Sequence, residues 1–410
     1  MSPPTRSTSG LLTVTVLLLA AVTFGALVAL WPSPVTGETV ADEFVTAKID
    51  AVDISDDTGF GPSADVTVTV LDGPFATQTF VLDTVPTTTL PTLSSGDRIE
   101  LEQVVSPDGT PRFHLRDFRR APALLVLIGL FVGAVLLVGR WHGFRALLGL
   151  AVSLFLVVRF IVPAILAGSN PAVVALVGAV AVMLVALYLT YGFNAMTASA
   201  AVGTAGALAI TVGIGVTAID RVKISGYATE EAVYAGMSVA GLDLRGIVLA
   251  GLIIAALGVL DDVTVSQAST VFALHDTDRT LTWRPLFTRA MTVGRDHISA
   301  VVNTLFLAYA GASLALLVLL STSGVSAGQV FNSELFAEEL VKILVGSLGL
   351  IAAVPCTTLL AALAATGRGA AVVPADDAAT DGEPDGDGGA GSSADTPPGD
   401  SPAGGPGSSP

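Results

Sequence analysis

Residues 172–190 read AVVALVGAVAVMLVALYLT, nineteen consecutive positions without a formal charge. Folded as a helix rising 1.5 Å per residue, such a run crosses the roughly 30 Å hydrocarbon layer of a bilayer. A stretch apolar on every face for that length predicts an α-helical membrane protein. Working outward, comparable runs occupy Leu11–Leu30, Pro122–Val138, Ala146–Ala167, Met196–Ile219, Gly246–Leu260, His297–Leu320 and Val341–Ala365. With Ala172–Thr190 they predict about eight spans. The whole chain agrees, being 52% hydrophobic and 13% charged with mean hydropathy +0.73, where a soluble domain carries about 25% charge.

The net charge of −16 is unevenly spread over the 410 residues. Residues 122–370 carry 12 basic and 12 acidic side chains, whereas residues 32–121 carry 6 and 15, and the last forty positions hold eight acids and no base. This divides the chain into an N-terminal transmembrane anchor (1–31), a polar insert (32–121), a seven-helix membrane domain (122–370) and a tail (371–410). The tail is built of Gly, Pro, Ser, Ala and Asp without an aromatic, a composition that predicts disorder. Acidity confined to water-facing segments excludes a nucleic-acid footprint. A cleaved signal peptide competes with the anchor for residues 1–31, but the apolar run is longer than the usual core of about 7 to 15 residues.

Between Glu43 and Phe118 the hydropathy pattern changes to short alternating runs, the period of strands. Five are predicted, at Phe44–Ile54, Ala64–Leu71, Thr77–Leu82, Arg98–Val105 and Pro111–Asp117, with Asp108-Gly109 as a hairpin turn between the last two. A small barrel of the OB type and a partial sandwich both fit. The single cysteine, Cys356, falls in an apolar run, so no disulfide staples this insert.

Basic residues in the loops set the expected orientation. Arg6, Arg140, Arg145, Arg279, Arg284, Arg289, Arg295 and Arg368 fall on one side, and Arg221, Lys223 and Arg245 on the other. The first side is therefore cytoplasmic, with both termini inside and the strand-rich insert outside, despite Arg116, Arg119 and Arg120 at its end. Sixteen arginines against three lysines in an Ala-, Val- and Gly-rich chain suggest a bacterial coding bias and a bacterial cell membrane.

Enzyme motifs are absent: there is no Gly-x-Ser-x-Gly elbow, Walker A loop, Gly-x-Gly-x-x-Gly or His-Glu-x-x-His. His114, His142, His275 and His297 have no metal-ligand spacing, and no cofactor is expected. Gly311-Ala312-Ser313 is read as a packing face rather than a nucleophile.

The informative residues are polar groups lodged in the spans, each costly in hydrocarbon unless partnered. Asp243 and Arg245 open a short sixth span that runs into Asp261-Asp262 and a polar stretch with Ser266, Gln267 and Ser269. Two readings fit. Either the helix is interrupted at the carboxylates, as in many secondary transporters, or it continues as an amphipathic segment past the headgroup layer. Arg295, Asp296 and Asn303 at the start of the seventh span complete a candidate polar cluster with Asp243, Asp261 and Asp262. Arg159 in the third span and Asn194, opening the fifth, are secondary candidates with Gln267. Gly203, Gly206, Gly213 and Gly215 are expected to admit a neighbouring helix, and Glu338, Glu339 and Lys342 to lie on the outer surface.

The run Gly258-Val259-Leu260-Asp261-Asp262-Val263, then Gly294-Arg295-Asp296, Asn303 through Gly311, Phe331-Asn332-Ser333-Glu334 and Val345 through Leu350 resembles the YibE/F family of bacterial membrane proteins. The likeness extends from about Phe44 to about Ala365, and it departs at Asp261, where the family more often carries an apolar residue. It implies a multi-pass membrane protein with an extracytoplasmic segment before the helical core; the family's biochemistry is uncharacterised. Two functions are expected from this sequence: a permease-like protein for a small solute or ion, or an envelope protein whose outer domain binds a protein partner.

Overall fold

The computed structural model describes residues 7–32, 44–55, 63–86, 93–105, 111–322 and 324–369. The Asp108-Gly109 turn and the tail lie outside the described residues.

Five strands form one antiparallel sheet: β1 (Phe44–Ser55), β2 (Ser63–Val70), β3 (Thr79–Pro86), β4 (Arg98–Val105) and β5 (Pro111–Phe118). Their order is β3-β2-β1-β4-β5, and the sheet curls so that the outer strands β3 and β5 also touch. Alternation decides its two faces. Val45, Ala47 and Ile49 on β1, Ala64, Val66, Val68 and Val70 on β2, and Ile99 and Leu101 on β4 are buried, and the residues between them point outward, except Thr46, which is buried where its N–H donates to Asp72 Oδ1. Phe75, Phe80 and Phe113 close the core, with Phe80 and Phe113 centroids 4.6 Å apart. This insert therefore has a core of its own, held without a disulfide.

The rest is helical. α1 (Ser7–Leu30) packs Leu12, Val16 and Thr23 onto the bundle. α2 (Ala121–Leu156), a π-helical turn (Val157–Ile161) and α3 (Val162–Leu166) form one apolar run of 46 residues. Straight, it would be about 69 Å long, more than twice the hydrocarbon thickness. It is broken at Arg140, whose φ of 47° and ψ of −124° are not helical. The π turn has a local cause: Pro163 has no N–H and its ring crowds the carbonyl of Arg159, four residues back, so the backbone widens there.

α4 (Pro171–Tyr191), α5 (Ala195–Val222), the short α6 (Glu230–Ser238), α7 (Leu244–Thr277), α8 (Trp283–Ala312), α9 (Leu314–Thr322), α10 (Ala327–Asn332) and α11 (Glu334–Gly369) follow. Asn170, Asn194, Thr229, Asp243 and Ser326 cap five of them, each accepting a backbone N–H three residues on. Among the described residues six helices are long and apolar enough to cross a membrane; α8 and α9, bent by 61° at Ser313, make a seventh if taken as one broken span. The eight expected segments differ in number because the second and third lie within the single run containing α2 and α3.

α5, α7 and α11 form the centre of the bundle. α5 runs antiparallel to both: Thr204 meets Thr264 of α7, while Gly203 and Gly349 lie against Thr357 and Thr211 respectively, pairing α5 with α11. Gly203 and Gly215 face neighbouring helices as expected, but Gly206 and Gly213 face open space.

Candidate functional site

α7 is unbroken through Asp261 and Asp262, so of the two readings the continuous helix holds. The reason is the uncharged stripe that continues past the carboxylates: Leu260, Val263, Thr264, Gln267, Ala268 and Val271 are all buried on one face. At 100° per residue Asp262 falls on the opposite side of the helix and is exposed, while Asp261 lies on the flank of the buried stripe. The Oδ1 of Asp261 is buried and has no hydrogen-bond partner among the described residues.

The other members of the expected cluster are not brought together. Asp243 caps the start of α7, its Oδ1 accepting the Gly246 N–H at 2.9 Å, about 27 Å along the helix from Asp261. α8 turns Leu286, Ala290, Gly294 and Leu305 to the interior. Gly294 lies against Val354 and Gln267. Asp296 and Asn303 are then on the far side of α8, and Arg295 beside them; all three are exposed, and no ion pair joins Arg295 or Asp296 to Asp262 among the described residues. Arg159 is likewise exposed and makes no such pair. Asn194 is exposed and structural, accepting from the Thr197 N–H at 2.8 Å.

Gln267 alone of the nine candidates is fully interior. Its Nε2 donates to Ala290 O at 3.1 Å and to Thr358 Oγ1 at 2.8 Å, tying α7 to α8 and α11. One turn earlier the Thr264 and Thr204 hydroxyls meet at 2.6 Å, and Thr357 beside Gly203 leaves its hydroxyl unpartnered. An uncharged polar seam thus runs through the centre of the bundle.

A second constellation lies at the opposite end of α7 and was read in the sequence as surface charge. Lys342 Nζ is 2.9 Å from Glu338 Oε1 and 2.9 Å from Glu339 Oε1, and the three side chains are only 13–27% exposed. Glu338 and Lys342 line a cavity of about 440 Å³ whose other walls are Gly226, Thr229, Glu231, Ala232 and Ala235 from α6 and its approach, and Leu244, Ile247, Val248 and Gly251 of α7. Glu339 instead borders an apolar pocket of about 100 Å³ at the bend between α8 and α9, with Tyr309, Ser313 and Phe336. The lysine therefore stands between a broken helix and an open cavity. Just above it, the Glu334 carboxylate accepts the Ser225 N–H at 2.6 Å, the Ser225 hydroxyl at 2.8 Å and the Gly226 N–H at 2.9 Å, fixing the loop that enters α6.

Residues 127–367 match the family model described as YibE/F-like protein. The chain belongs to the YibE/F-like family. The YibE/F-like match begins inside α2 and ends near the close of α11, so it contains both the polar seam and the Lys342 constellation, and the five-stranded sheet precedes it. No curated protein and no solved structure matches the chain. Among the described residues no group of three His, Cys, Asp or Glu is placed to hold a metal ion.

Sequence reading missed the Lys342 constellation because its partners belong to α6, α7 and the α8–α9 bend, far apart in the chain. The available signal was local: Glu338 and Glu339 precede Lys342 by four and three residues, on one side of a largely apolar helix.

Proposed function

We propose that this YibE/F-like protein is permease-like, moving or gating a small solute or ion across the membrane. One observation carries the reading: a lysine held by two carboxylates on a membrane-spanning helix, open to a 440 Å³ cavity on one side and adjoining a broken helix on the other. Ionisable groups retained on spanning helices mark transport pathways by default, and discontinuous helices are how many transporters bring charge to a substrate. The unpartnered Asp261 oxygen and the Thr204–Thr264–Gln267 seam supply polar groups further along α7, which also walls the cavity, and on its neighbour α5.

Dividing the run from Ala121 to Leu166 at Arg140, and taking α8 with α9 as one crossing, gives eight spans. Loop charge then places both termini in the cytoplasm of a bacterial cell and residues 32–121 outside it. The Lys342 cavity opens on the same outer side.

Solid-supported membrane electrophysiology on reconstituted vesicles tests the proposal, with a panel of inorganic ions and small charged solutes. A translocation current in the wild type that falls at least tenfold in both Glu338→Gln and Lys342→Gln, with folded protein recovered in each, supports it. Wild-type currents undiminished in both variants, or no current for any member of the panel, count against it. A second reading, in which the outer domain binds a protein partner, is favoured by the sheet's self-contained core. Capture of a defined envelope protein by the full chain, lost on deletion of residues 44–118, would support that reading.

A further inference from the structure

The connector between α5 and α7 carries a largely apolar face with no protein against it among the described residues. In α6, the small residues Ala232, Ala235 and Gly236 turn toward the bundle, where Gly236 lies against Leu244 and Tyr227. Tyr234 and Met237 turn the other way and are 75% and 81% exposed, with Val233 beside them and the exposed Glu230 at the helix start on the same side. A nine-residue helix that shows its smallest side chains to the protein and its largest apolar ones outward is inverted for a helix in water. It is the expected arrangement for one bounded by lipid.

Three further observations select the bilayer as the occupant. The chain enters and leaves this connector from the ends of two apolar spans, α5 and α7, which holds α6 at the level of the membrane boundary. Its outward residues are of the kinds that gather at that boundary, with Tyr227 and Tyr234 offering an apolar ring and a polar hydroxyl. Arg221 and Lys223, at the end of α5, are exposed and form no ion pair among the described residues, leaving their charges for headgroup phosphates. We infer that α6 is an interfacial helix, seating Val233, Tyr234 and Met237 in the headgroup–acyl boundary of the bilayer while its small face roofs the Lys342 cavity.

Spin labels in the full chain test this, introduced as Tyr234→Cys, Met237→Cys and, as a reference on the exposed face of β4, Glu100→Cys in a Cys356→Ser background. In lipid nanodiscs, labels at 234 and 237 should collide more often with oxygen than with a water-soluble nickel chelate, and the label at 100 the reverse. Ready collision with the chelate at 234 and 237 would overturn the inference. So would shielding from both reagents, which would mean that another protein or a second copy covers the face. Because the labels could perturb the helix, Tyr234→Trp in brominated phospholipid, with Trp31, Trp141 and Trp283 replaced by Phe, provides a second measurement. Quenching there supports the inference, and quenching only by aqueous iodide contradicts it. Neither readout depends on transport, so the failure of this inference and of the permease reading are distinguishable.

Discussion

Gln267 of α7 and Thr358 of α11 join two central helices through one hydrogen bond, 2.8 Å from Nε2 to Oγ1, with neither side chain open to solvent. The residues are 91 positions apart in the chain. Within an apolar bundle the alternative to this bond is a buried amide with no partner, which gives the pair its structural weight. The second Gln267 bond, to Ala290 O, brings α8 to the same point.

Replacing Gln267 by Leu is expected to lower stability by about 1–2 kcal/mol, the range for interhelical hydrogen bonds in membranes plus the stranded acceptors. Asn303→Ala, on the exposed side of α8, should change it by less than about 0.5 kcal/mol. Unfolding of both variants by sodium dodecyl sulfate in mixed micelles measures the contrast.

Gly203 and Gly206 stand on the same helix but only one is packed. A Cβ at Gly203 would come within 3.0 Å of the Thr357 Cβ and 3.2 Å of its Cα, and backbone cannot swing aside as a side-chain tip can. Gly203→Ala should therefore cost about 1–3 kcal/mol by overpacking, whereas Gly206→Ala, with nothing within 4 Å, should be neutral or slightly stabilising. The same unfolding measurement separates them.

The class of the fold and its elements were legible in the sequence because they depend on local pattern. Nineteen uncharged residues at Ala172–Thr190 define a span alone, and the alternation of Val66, Val68 and Val70 defines a strand alone. The site was not, because it depends on which face of each helix a residue occupies. Asp261 and Asp262 are adjacent in the chain yet point 100° apart, so a count of charges near the end of a span could not tell the half-buried carboxylate from the exposed one. Likewise Arg295 and Asp296 follow Gly294, the residue that packs on Gln267, and are carried off the interface by the turn of the helix. A break after Leu260 is one of the two readings the carboxylates allow; α7 runs on there, and the bend lies at Ser313, in a run whose hydropathy gives no sign of it.

Glu334 fixes the loop before α6 by accepting from Ser225 and Gly226. Gly226 has φ of +85°, and a Cβ there would meet the Leu244 carbonyl at 2.8 Å, so the loop has little freedom to repair itself. Glu334→Ala should accelerate hydrogen exchange at residues 224–229 at least tenfold without altering exchange in the middle of α5. Unchanged exchange would show that the carboxylate contributes nothing to the loop.

Asp278, beyond the end of α7, is held below the usual carboxylate range by hydrogen bonds from the Thr280 hydroxyl and N–H, helped by Arg289. Its folded value lies below its unfolded value of about 3.9, so the stability it contributes is present above that value and lost as pH falls through the folded one. Thr280→Val should move that loss to higher pH, detectable as earlier acid-induced exchange in the turn at residues 278–282. Superimposable pH profiles would refute the assignment.

The claim on which the functional account depends is that the Lys342 cavity is reached from water and lies on the path of the solute. Ile247→Cys on the cavity wall, in a Cys356→Ser background, tests it with a small membrane-impermeant methanethiosulfonate; Leu319→Cys on the exposed apolar side of α9 is the control. The account predicts rapid modification at 247, slow modification at 319, and loss of the vesicle current once 247 is modified. A cysteine at 247 that never reacts, or that reacts and leaves the current unchanged, would contradict it.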